Sequence, residues 1–314
     1  MGADRGWSSG AARASRRPCR RFRTIVGSGG SAPQRVRRMT MALVENLAVV
    51  LALAGVIVSI LAHVIGRSEP GGVWETLGVW LTGLSLLGLV VALAARGVRA
   101  DRWPFVTRYE FALCFAAGIL LAKWILHLSA PFEPSAAALT GSAAALLLIY
   151  AQFILPESDR QIVPLVPALR SIWFPIHVLA AVIGYGGAAV AAGAGLVAFR
   201  WAGDVDHRQQ AARAERLAYR AVALGYPWLS ASIVIGAVWA QLAWGAYWSW
   251  DPKEVWALIT WLLYTLFLHA RVMRGWRGRP LALLALVGFA SVLFTFLGVG
   301  WLVRQVGLQS LHVF

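Results

Sequence analysis

The stretch WFPIHVLAAVIGYGGAAVAAGAGLVAF, residues 173–199, contains no Asp, Glu, Lys or Arg. A helix needs about 20 consecutive apolar residues to cross the hydrocarbon core of a bilayer, and this stretch exceeds that length. Comparable stretches lie on both sides of it, at 42–65, 73–95, 109–128, 136–155, 220–243, 254–272 and 281–303. Backbone N–H and C=O groups in lipid must be satisfied within their own segment, and helices do that. The predicted fold class is therefore all-α: a polytopic integral membrane protein with about eight transmembrane helices.

Composition agrees. The 314 residues are 59% hydrophobic and 14% charged, with a mean hydropathy of +0.65, whereas a soluble domain carries about 25% charged residues. The charges sit in short clusters between apolar stretches, the layout of a multi-span protein. Of the net charge of +15, residues 1–40 contribute +9 through ten Arg and one acid, Asp4. This 1–40 stretch is Arg-, Gly- and Ser-rich without apolar periodicity and is expected to be a disordered tail; Met39 and Met41 offer later starts. No signal-peptide pattern follows it. Residues 41–314 form a single membrane-embedded unit. The arginine clusters flank apolar spans, which points to cytoplasmic loops and lipid headgroups rather than to nucleic acid. Cys19 and Cys114 are too few and too far apart for a disulfide framework or a C-x-x-C motif, so metal chemistry would rest on histidines.

Two loops orient the second half. Arg200, Arg208, Arg213, Arg216 and Arg220 follow the opening stretch, and Arg271, Arg274, Arg277 and Arg279 precede the last span. The positive-inside rule places both in the cytoplasm. Residues 244–253, the surroundings of His177 and the C-terminus then lie outside. The first half conflicts with this, because eight spans also put Arg96, Arg99, Arg102 and Arg108 outside.

The external segment Trp244-Gly-Ala-Tyr247-Trp248-Ser-Trp250-Asp251-Pro-Lys-Glu254 is the most informative. Six of sixteen tryptophans fall between Trp239 and Trp261. Indole rings offer flat apolar faces with one polar N–H, and Trp244, Tyr247, Trp248 and Trp250 together suit a planar ligand such as a porphyrin. An interfacial aromatic belt has the same composition, so residue order must decide. Asp251 followed by Pro252 and Glu254 reads as an N-cap with a capping box. The same helix start offers N–H groups, and Lys253, to an anion.

The order of these residues resembles the tryptophan-rich "WWD" signature of haem-handling membrane proteins. Its continuation through Glu254, Trp256, Trp261, Tyr264 and Leu268-His269 is similar to the CcsA/ResC family of cytochrome c biogenesis. Leu165–Trp173 followed by His177, Trp103-Pro104 with Tyr109-Glu110, and Gly307–His312 also resemble that family, so the likeness runs over residues 42–314. Pro175 and the terminal Val313-Phe314 depart from its usual pattern. The resemblance implies haem transport to the outer membrane face and covalent attachment to apocytochrome c, as the lyase component of a synthase complex. It implies haem b as transported substrate, held by Trp244, Tyr247, Trp248, Trp250 and Asp251. Its iron would be ligated by His177 and His312, both external, and on the entry side by His269. His269 lies 18 residues after Asp251, or about 27 Å along a helix, which places it near the cytoplasmic end. His63, His127 and His207 receive no role. No residue reads as a nucleophile or general base, so no catalytic group is assigned to the chain.

The implied partners are a CcsB/ResB-type membrane protein, an apocytochrome c with a Cys-x-x-Cys-His segment, the lipid bilayer and, indirectly, thiol-reducing thioredoxin-like proteins. The implied location is the cell (inner) membrane. A CcmC-like haem exporter or chaperone without lyase activity is the alternative, although the Trp-Asp-Pro-Lys-Glu wording favours the CcsA side. A cytochrome b-type electron-transfer subunit would need two histidines on one span, and no span has them. A transporter with an aromatic vestibule would need polar or broken helices at mid-membrane.

Overall fold

The computed structural model describes residues 32–68, 71–129 and 132–307. Among these residues, eight helices are long and apolar enough to cross a membrane, and there is no strand. They are α1 (Ala32–Ile65), α2 (Val73–Ala100), α3 (Arg108–Ser129), α4 (Pro134–Ile154), α5 (Trp173–Trp201), α6 (Arg208–Trp244), α7 (Pro252–Val272) and α8 (Arg279–Val306). The expected eight-span architecture is present. Helix α1 begins earlier than the sequence suggested, at Ala32. Arg35, Arg37 and Arg38 are exposed on this extension, which carries the first span beyond its apolar stretch.

Local chemistry marks the helix starts. Pro134 occupies the first turn of α4, and the Glu133 carboxylate accepts from the Ala136 N–H at 2.6 Å. At α3, the Glu110 carboxylate accepts from the N–H groups of Val106 (2.8 Å) and Thr107 (3.2 Å), while Thr107 Oγ1 accepts from the Glu110 N–H. These bonds satisfy donors that a helix start leaves without intrahelical partners.

Helix α5 is the centre of the bundle and packs against α3, α4, α6 and α8. Lipid tails are as apolar as leucine, so helices associate in a membrane mainly through close packing of small residues. The run Gly184-Tyr-Gly-Gly-Ala-Ala-Val-Ala-Ala-Gly193 supplies them. A Cβ on Gly186 would sit only 2.6 Å from the Gly118 carbonyl carbon, so the α3 and α5 backbones meet here directly. The opposite behaviour marks α2, whose Trp80, Leu84 and Leu87 are exposed and suit lipid.

Eight crossings bring the start of α1, the end of α2, the start of α3, the end of α4, the start of α5, the end of α6, the start of α7 and the end of α8 to one end. Arg96, Arg99, Arg102 and Arg108 therefore share an end with the tryptophan segment. Their presence there has a structural reason. Arg96 pairs with Glu45 (3.3 Å) and Glu110 (2.9 Å), Arg99 with Glu45, Arg102 with Glu110 (2.9 Å) and Arg108 with Asp159 (2.9 Å). These arginines bind α1, α2 and α3 together, so loop topology is not their only determinant. The α4–α5 connector lies over the same end, where Arg96 donates to the Arg160 carbonyl at 2.6 Å. The other end carries the Arg-rich turns, and Gln210 donates there to Glu133 at 2.8 Å.

Candidate functional site

A cavity of about 400 Å³ opens among the ends of α3 to α8. This is within the usual range for small-molecule pockets, about 300–1,000 Å³. Aromatic rings dominate its wall: Phe111, Phe115, Phe174, Tyr185, Trp239, Tyr247, Trp248, Phe296 and Trp301. Polar groups are few, and His177 is one of them.

The position of His177 follows from its neighbours. It lies one turn into α5, half-buried, with Nδ1 2.7 Å from the Ser232 carbonyl on α6. A carbonyl only accepts, so Nδ1 carries a proton, and in the neutral ring Nε2 is the nitrogen that can ligate. This is the arrangement in which an imidazole serves as a metal ligand, with its other nitrogen fixed by a carbonyl. Gly236 makes the approach possible, because a Cβ there would stand 2.7 Å from Nδ1. Trp239 backs the ring, nearly parallel to it at 18° with centroids 6.1 Å apart.

Trp239 belongs to the site although its local sequence does not mark it as such. Only 2% exposed, it also meets Trp244 edge-on (4.7 Å) and Phe174 (5.1 Å), and its indole N–H donates to the Ala168 carbonyl at 2.9 Å. It joins His177, the tryptophan segment and the α4–α5 connector. Its one-turn-plus spacing before Trp244 was visible, but which helix face it occupies was not. Both π turns also border the cavity, through Tyr150 on α4 and through Thr295, Phe296 and Leu297 on α8. Such turns recur at functional sites, and nothing local in the sequence marks them.

The predicted ligand residues separate into groups. Tyr247 and Trp248 line the cavity beside His177. Trp244 stands behind Trp239 rather than in the wall. Trp250 is 71% exposed, in edge contact with Trp248 (5.8 Å), and its φ of 59° lies in the left-handed region. Asp251 is buried and forms the expected capping box: it accepts from the Lys253 N–H at 2.9 Å. The Glu254 carboxylate accepts from the N–H groups of Ser249 (2.8 Å) and Asp251 (3.2 Å). Asp251 thus shapes the segment, and the cavity wall begins with its neighbours Lys253 and Glu254. His269 is exposed in the last turn of α7, at the end away from the cavity. His312 lies outside the described residues.

A second polar group occupies that far end. His63 is fully buried between α1 and α2, and its ring faces His127 with centroids 6.3 Å apart. His127 Nε2 lies 3.5 Å from Glu75, and buried Lys123 donates to Thr82 at 3.0 Å. Each of these histidines stands alone near a span end in the sequence, and only packing brings them together. Among the described residues no group of three or more metal-ligating side chains converges.

Comparisons with known proteins agree with one another. Residues 105–306 match the family described as Cytochrome C assembly protein. Over 266 residues the chain is 35% identical to the cytochrome c biogenesis protein CcsA of Prochlorococcus marinus (strain NATL2A), covering 74% of this chain and 83% of that one. Over 230 residues it is 36% identical to the CcsA of Chlamydomonas reinhardtii, covering 70% of this chain and 64% of that one. In three dimensions it is similar to the cytochrome c haem lyase CcmF, with a TM-score of 0.65 and 19% identity. That likeness covers 85% of this chain but about half (49%) of CcmF. The family match includes His177, the tryptophan segment and His269.

Proposed function

The chain belongs to the cytochrome c assembly protein family, and from that membership we propose that it passes haem outward through the membrane and presents it for attachment to apocytochrome c. The observation that carries the proposal is His177, its Nδ1 proton held by the Ser232 carbonyl, on the wall of an aromatic cavity bounded by Tyr247 and Trp248. His177, through Nε2, and His312 would hold the haem iron. Trp248 and Tyr247 give apolar faces to the porphyrin, Trp239 joins them in the wall with Trp244 behind it, and Trp250 meets Trp248 edge-on. His269, at the opposite end of α7, is the entry ligand.

The chemistry asked of the chain is positioning and control of iron through its axial ligands. Each thiol of a Cys-x-x-Cys-His segment adds across a haem vinyl group, with sulfur bonding to one vinyl carbon and the thiol hydrogen going to the other. No external oxidant is consumed and no protein nucleophile is needed. The haem is haem b before attachment. The cavity end faces outward from the cell membrane, and the Arg-rich loops around 200–220 and 271–279 face the cytoplasm. A CcsB/ResB-type membrane protein completes the complex. Thioredoxin-like proteins keep the substrate thiols reduced.

Absorption spectroscopy of the purified complex tests this. Wild type is expected to show a bis-histidine haem spectrum. His177→Ala and His312→Ala should each weaken or lose it, and added imidazole should restore it. Unchanged spectra in both variants would exclude these ligands and leave the aromatic segment as an interfacial belt.

A further inference from the structure

The cavity is apolar around most of its wall, yet three cations reach it: Arg108, Lys253 and Arg304. Their situations differ. Arg108 is already engaged with Asp159 at 2.9 Å. Lys253 and Arg304 form no ion pair with any carboxylate among the described residues. Asp251 and Glu254 are the acids nearest Lys253 in sequence, and both are committed to the capping box, accepting backbone N–H bonds from the segment.

The two cations stand near the same end. Lys253 Nζ lies 5.9 Å from the Phe111 ring centroid, and Phe111 follows Arg108 by one helical turn. Arg304 lies past the π turn of α8, and its Nη1 comes within 3.9 Å of where a Gly300 Cβ would stand. Its guanidinium is folded back along the helix towards the cavity, where Gly300, Trp301 and Arg304 all contribute to the wall. A helical side chain leans towards the N-terminus of its own helix, and for Arg304 that direction leads to the cavity. Arg304 is exposed and Lys253 half-buried, so both charges stand at the mouth of the cavity, where an anionic edge of a ligand can meet them.

We infer that Lys253 and Arg304 form a two-point carboxylate clamp that sets the in-plane orientation of the ligand. The inference rests on the haem reading of the cavity. Haem carries two propionates on one edge and two vinyl groups elsewhere on the ring. Anchoring the propionates at Lys253 and Arg304 selects one rotation of the porphyrin about the axis through His177 Nε2. That rotation decides where the vinyl groups stand when the substrate thiols arrive. Arg304 provides planar, two-pronged recognition of a carboxylate, and Lys253 provides a compact point charge. Both are positioning residues; neither takes part in thioether formation.

The test compares haem with its dimethyl ester, which keeps the ring, iron and vinyl groups but loses both charges. Each is titrated into the full-length protein with its membrane partner, cleared of bound haem, and binding is followed by the Soret band. Wild type is expected to prefer haem over the ester by tenfold or more. Arg304→Gln and Lys253→Met should each reduce haem affinity about tenfold while leaving ester affinity unchanged, and Lys253→Arg should restore part of the preference. Equal losses for both ligands would mean a merely structural role, and an undiminished preference would mean that the propionates are held elsewhere; either overturns the clamp. If wild type binds the ester as tightly as haem, the clamp is wrong but the haem site stands. If it binds neither, the haem reading falls and the clamp with it.

Discussion

His177 illustrates how little of a ligand's fitness lies in the residue itself. Its usefulness comes from the Ser232 carbonyl that takes the Nδ1 proton and from the absence of a side chain at Gly236. Gly236→Val should therefore act like a partial loss of the ligand. It would displace the imidazole and break the Nδ1 bond, weakening haem binding about tenfold or more, which titration in the Soret region would detect. Retention of wild-type affinity would show that the ring has another support. Glu254 is a second case. Its carboxylate collects the Ser249 and Asp251 N–H groups and so holds Trp250 in the left-handed region, a conformation costing about 1–3 kcal/mol for a non-glycine residue. Glu254→Ala removes that support at a cost of about 1 kcal/mol. Hydrogen exchange over residues 245–254 should accelerate, and unchanged exchange would argue that the segment is held by its rings alone.

At the scale of elements, the contact between α3 and α5 is the most sensitive joint. The backbones meet at Gly118 and Gly186 with no room for a Cβ. Gly186→Leu forces them apart, and overpacking of this kind typically costs about 1–3 kcal/mol. Because α5 carries His177 and α3 carries Phe111 and Phe115 of the cavity wall, the variant should lose haem as well as thermal stability in detergent. The same substitution at Gly203, which has nothing within 4 Å but a φ of +88°, should disturb only its turn and leave haem binding intact. The π turns in α4 and α8 belong to this scale too. Tyr150 and Phe296 of the cavity wall lie within them.

For the whole molecule, the ion network at the cavity end joins three helices and two connectors. Glu110 is 0% exposed and holds Arg96, Arg102 and two backbone N–H groups. Removing one member of a buried charged group leaves the others uncompensated, which commonly costs about 3–5 kcal/mol. Glu110→Ala should lower the melting temperature in detergent more than Glu157→Ala, whose residue lies exposed in the connector. Equal effects would mean that the network is solvated and contributes little. The network also accounts for the arginines that the charge rule alone would have placed on the other side.

The number of spans, their approximate limits, the aromatic segment and its capping box were all legible in the sequence, because each depends on local patterning: apolar length, tryptophan clustering, and Asp251 three residues before Glu254. The family resemblance was legible for the same reason, since each of its stretches is a short local run of residues. Residues that matter through distant neighbours were not legible. Trp239 behind His177, the pairing of His63 with His127, the place of Arg304 in the cavity wall and the carboxylate partners of Arg96 depend on which helix faces which, and that is settled by close packing of small residues across the bundle. Residue periodicity records which face of a helix is apolar, but in a membrane both lipid and protein neighbours are apolar. Hydropathy therefore could not say which face would line the cavity, and only the assembled bundle decided it.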